Sequence, residues 1–226
     1  MSQAGVIWDA LESGDPVLVR RAFSRFPEEL TNNAPVVGCH LYGACFRGDL
    51  TVVQALVELG ADINLKDGRD GLAPISAACG QGHVPIVEYL LSLGCELDVT
   101  TSLRNPLFAC IAGYRGGDDE PRERFLAIAE MLIGHGIDLA ACYIQPSMID
   151  MDASAFAYMF GRSDIARSVI GRLYGHDARL ESGAWAEAIE VALGNAFAKQ
   201  KFARWRRPSK RDRRSDCLTP DGDYWA

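Results

Sequence analysis

A chain of 226 residues, 48% hydrophobic and with a mean hydropathy of −0.02, can bury a sizeable core, yet it holds no run of the eighteen or so apolar residues that a membrane helix needs. Its seven cysteines are odd in number, sit among apolar neighbours and include no Cys-x-x-Cys pair, which argues for reduced thiols and against a disulfide frame or a zinc site. Residues 1–198 carry 14 basic and 26 acidic side chains, a net of −12, whereas residues 199–226 carry 9 and 4, a net of +5; an acidic body repels phosphates and favours a basic protein partner over nucleic acid.

In chain order, Val6-Ile7-Trp8-Asp9-Ala10-Leu11, the break Gly14-Asp15 and the run Val17 to Phe23 predict two short helices within residues 5–30. Met1-Ser2-Gln3-Ala4-Gly5 lacks the basic and apolar segments of a secretory signal, so a cytoplasmic location is expected. A first full unit spans about 36–64, and its Ala44, Gly48, Val53, Leu56 and Gly60 each precede Ala78, Gly82, Val87, Leu90 and Gly94 by 34 positions. Five landmarks in one register mark an internal repeat. Between the units, Leu65 to Gly71 contains two Asp-Gly pairs and predicts an exposed hairpin finger.

The second unit, 71–98, is the most regular stretch. Pro74 opens a helix without wasting a backbone donor, Gly82-His83 breaks it, Ile86, Val87, Leu90 and Leu91 line a second helix, and Gly94 closes it. A hairpin of two helices cannot bury that stripe alone. In the third unit, 103–138, Pro106 follows Pro74 by 32 positions but Gly136 follows Gly94 by 42, which places about ten extra residues between the two helices, around residues 114–121. A fourth, degraded unit covers 148–170, where Ala157, Gly161, Ala166 and Val169 lie 79 positions after their counterparts in the second. Residues 184–205 predict a closing helical cap and 199–226 a basic, then polar, tail.

Ala73-Pro74-Ile75-Ser76-Ala77-Ala78, Gly82-His83 and Gly60-Ala61-Asp62-Ile63-Asn64 resemble the start, break and ending of the ankyrin repeat. The resemblance implies an all-α solenoid of helix–turn–helix units over residues 1–198, with short hairpin fingers, a truncated opening unit as cap and a concave groove lined by first helices and fingers. Ala73 replaces a Thr and Ser76 a His that tie neighbouring turns together in the family, so a less regular array is expected. His40 stands where the first helix would start with Pro.

Carried onto this chain residue by residue, the family's variable contact positions give Phe46, Arg47, Gln81, Tyr114, Met159 and Phe160 before the breaks. The fingers give Lys66, Asp67, Arg69, Asp70, Arg104 and Met148. Aromatic, Met and Arg side chains on such a surface are what interface hot spots favour. No catalytic residue, cofactor or metal is expected: Cys79 and Cys110 fall at small buried positions, His83 belongs to the break, and there is no phosphate loop, His-Glu-x-x-His helix or Gly-x-Ser-x-Gly elbow. The chain further resembles, in architecture, the ankyrin-type immunity proteins of bacterial polymorphic toxin systems. That implies a scaffold occluding a basic toxin or enzyme domain, with no small-molecule substrate or membrane. A general adaptor joining intracellular partners would use the same groove, and a nucleic-acid-associated protein would use the basic tail.

Overall fold

A computed structural model describes residues 2–32, 39–68, 71–97, 104–113, 122–139, 142–143, 151–153, 156–157 and 162–174. Helices come in antiparallel pairs: α1 (Gln3–Glu12) with α2 (Pro16–Arg25), α3 (His40–Arg47) with α4 (Leu50–Glu58), α5 (Pro74–Gln81) with α6 (Val84–Ser92), and α7 (Pro106–Gly113) with α8 (Arg122–Gly134). A 3-10 turn, Pro27–Thr31, joins the first pair to the second, and α9 (Ser163–Tyr174) packs on α8. The first helices form one row, α3 on α5 and α5 on α7. The second helices form another, running α2, α4, α6, α8 and α9. Between the rows lies the core of Ala44, Val53, Leu56, Ala78, Val87, Leu90, Phe108, Phe125, Ile128, Leu132, Ala157, Ala166 and Val169. All the apolar landmarks of the 34- and 79-residue registers are therefore inside.

The glycine landmarks have a backbone reason. Gly48 and Gly82 end first helices at φ of 91° and 74°, and Gly60, Gly94 and Gly136 follow second helices at 95°, 72° and 79°, a region that suits a residue without a side chain. At the breaks the N–H groups of Asp49, His83 and Arg162 reach back to the carbonyls of Ala44, Ala78 and Ala157, the same spacing each time. The finger at 65–71 is not a pair of strands among its described residues. Its base is closed instead by Asp67 N–H to Leu72 C=O and Gly71 N–H to Asp67 C=O. A two-stranded antiparallel ladder is found later, between β1 (Cys142–Tyr143) and β2 (Met151–Asp152).

Ser76 keeps a tie of its own. Its hydroxyl donates to the Arg104 carbonyl at 2.5 Å, so the residue in the His position still ties the second unit to the third. His83 Nε2 lies 3.1 Å from the Phe46 carbonyl, and the Glu96 N–H bonds to the Asn64 side chain at 2.8 Å, adding two more ties between the first and second units. The insertion is bracketed as expected, α7 ending at Gly113 and α8 starting at Arg122. Residues 114–121, the closing cap 184–205 and the tail 199–226 lie outside the described residues. Among the described residues no helix is long and apolar enough to cross a membrane.

Candidate protein-docking face

Phe46, the last residue but one of α3, is 48% exposed, one of the large apolar residues left open among the described residues. It is one turn beyond Tyr42, and the two rings stack with centroids 6.3 Å apart and planes 28° off parallel. An i, i+4 aromatic pair on a helix surface is held by its own backbone, so the ring is presented in a fixed pose rather than as a loose side chain. The carbonyl of Phe46 is in turn held by His83 of the next unit. That ring needs Gly48, because a Cβ there would come within 2.5–2.9 Å of it.

Beside the pair, Arg47 is exposed and its Nε donates to Asp49 Oδ2 at 3.0 Å. Lys66 is exposed at the finger base, and Gln81 is half-buried at the end of α5. Arg104, also half-buried, lays its guanidinium against Gly71, where a Cβ would be 3.0 Å from Cζ. Next to Gln81 the row is nearly bare of side chains: a Cβ on Gly113 would overlap the Gly80 carbonyl, so α5 and α7 touch backbone to backbone. Phe46, Arg47, Lys66, Gln81 and Arg104 thus belong to first helices or finger bases of consecutive units.

Asp67 is a correction. It is only 2% exposed, and its carboxylate accepts the Cys39 N–H at 3.2 Å, tying the finger to the start of α3. A side chain turned inward offers a partner nothing. Arg69, Asp70, Tyr114, Met148, Met159 and Phe160 lie outside the described residues. Tyr42 was missed from sequence; the signal was its spacing of four from Phe46 on a helix.

The thiols are placed as core. Cys39, Cys45, Cys79, Cys95 and Cys110 are all buried. Burial pushes Cys95 up to about 11 and Cys110 up to about 12, and Cys79 well above its usual value, so these groups stay protonated and are poor nucleophiles. Cys110 Sγ donates to the Phe125 carbonyl at 3.2 Å.

Residues 41–142 match the family model of ankyrin repeats in three copies. A comparison with curated proteins finds no match. Past the matched segment, the Arg162 N–H reaches back to the Ala157 carbonyl and α9 packs on α8.

Proposed function

From its place as an ankyrin-repeat protein, whose repeats form a protein-binding scaffold, we propose that the chain is a cytoplasmic immunity protein that binds and occludes a cognate toxin domain. One observation carries the docking surface: the half-exposed Phe46 ring, stacked on Tyr42 and set in the first-helix row. Exposed aromatics in fixed poses are favoured anchors, because they bury a large area at little cost in side-chain entropy. Arg47 beside the anchor and Gln81 at the end of the next first helix add polar groups suited to an interface rim, and Lys66 and Arg104 stand at the finger end of the same row. The net charge of −7 favours a cationic toxin domain by accelerating encounter, while the apolar anchor slows dissociation.

The mechanism is steric. A partner seated on the first-helix row has its own working surface covered, and no chemistry is required of the scaffold. The test is co-expression with the product of a toxin-like reading frame beside this gene. Growth restored by the chain supports the reading, and equal loss of growth with and without it overturns the reading.

A further inference from the structure

His40 is 8% exposed although it opens α3, where its repeat counterpart is Pro74. Its ring stands edge-on to Phe23 of α2, with centroids 5.3 Å apart, and its Nε2 is 3.3 Å from Glu29 Oε2 in the 3-10 turn. The same carboxylate takes Asn32 Nδ2 at 2.8 Å and Gln3 Nε2 of α1 at 3.1 Å. Gln3 also donates to Glu28 at 2.7 Å. One carboxylate therefore gathers the first helix, the 3-10 turn and the start of the first full repeat.

We infer that Glu29 and His40 form an acid-released latch, which holds the opening cap closed on α3 at neutral pH and lets it open, ahead of the array, as pH falls. A proton on His40 is unwelcome in the closed cap for three reasons. The ring is buried, it sits at the positive N-terminal end of α3, and Arg47 of the same helix repels it. Glu29 pulls the other way, but burial outweighs it and the imidazole is held below its usual value. Charge on the other neighbours is mostly engaged elsewhere. Phe23 is a ring contact from α2, whose Arg25 lies over Phe26, Glu28 of the 3-10 turn is taken by Gln3, α5 has no charged residue, the one charged residue of α4, Glu58, is held by Arg20 at 2.6 Å, and Asp67 is turned to the Cys39 N–H.

The sign follows from linkage. An opened cap returns His40 to water and its ordinary value, so the open form binds the proton more tightly and acid favours it, starting as pH drops below about 6.5. Glu29 acts in the same direction lower down. Burial raises its carboxyl, but hydrogen bonds from Asn32, His40 and Gln3 outweigh that and hold it below 4.5, so its contribution is lost as pH falls through the depressed value.

Hydrogen exchange of the full chain at about pH 7.5 and about pH 5.5, corrected for the intrinsic rate, tests the latch. The expected result is faster exchange of the Gln3–Glu12 amides at the lower pH, up to about tenfold, with those of α5 and α6 unchanged. In His40→Gln, which donates a hydrogen bond but cannot take a proton, that acid response should vanish. A pH-independent cap in the natural chain, loosening of α5 and α6 together with α1, or an undiminished response in His40→Gln would each overturn the inference. Should His40→Gln open the cap at both pH values, the natural chain decides alone, by its own acid response.

Discussion

The carboxylate of Asp67 turns inward, against what its neighbours in sequence suggest, whereas Phe46 is half exposed. Asp67 belongs to an Asp-Gly pair, which reads as an exposed turn, yet it meets a backbone N–H 28 residues earlier. Asp67→Ala leaves that buried donor without this acceptor and should cost ~1–3 kcal/mol in denaturant unfolding, whereas Lys66→Ala should stay within about 0.5 kcal/mol. Gly48→Ala combines a left-handed backbone with a clash against His83, so a loss of at least ~1–3 kcal/mol is expected from the backbone alone. Landmark glycines were legible because a positive φ leaves a mark that repeats with the unit. Asp67 was not, because its burial is decided by a partner remote in sequence, and Tyr42 was not, because the family's contact positions pass over it.

Among elements, Arg162 ties the start of α9 to the start of α8. Where the second unit has His83, the fourth has Arg162, wholly buried, with Nε and Nη2 on the two oxygens of Asp164 at 3.0 and 2.8 Å. Nη2 also donates to the Arg122 carbonyl at 3.2 Å, at the first turn after the inserted residues. The guanidinium lies 5.7 Å from the Phe125 ring centre, and Arg124 covers the same ring at 5.0 Å. A histidine has neither the reach nor the fork for this, so Arg162→His should loosen α9, read as faster exchange of its amides with α3 to α6 unaffected. Asp164→Ala leaves a buried guanidinium without its counter-ion and should cost ~3–5 kcal/mol. The register of Ala157, Ala166 and Val169 was readable from spacing alone. The role of Arg162 was not, since it depends on a carbonyl 40 residues earlier in the chain.

For the whole molecule, stacked units share one core and stability is a sum over neighbours, so the polar and backbone ties at Ser76, His83 and Asn64 matter as much as any single hairpin. Composition and repeat spacing were enough for the architecture, because each unit repeats the same burial pattern. They were not enough for the partner, because specificity resides in the few side chains that the pattern leaves free to vary. Docking of a protein partner on the first-helix row at Phe46, as proposed, is tested by titrating the proposed partner, the product of a toxin-like neighbouring reading frame, into the natural chain and into Phe46→Ala. Affinity lowered by ~2 kcal/mol or more, about thirtyfold, with the unfolding midpoint unchanged, is the predicted result. Equal affinity for the two chains would contradict it.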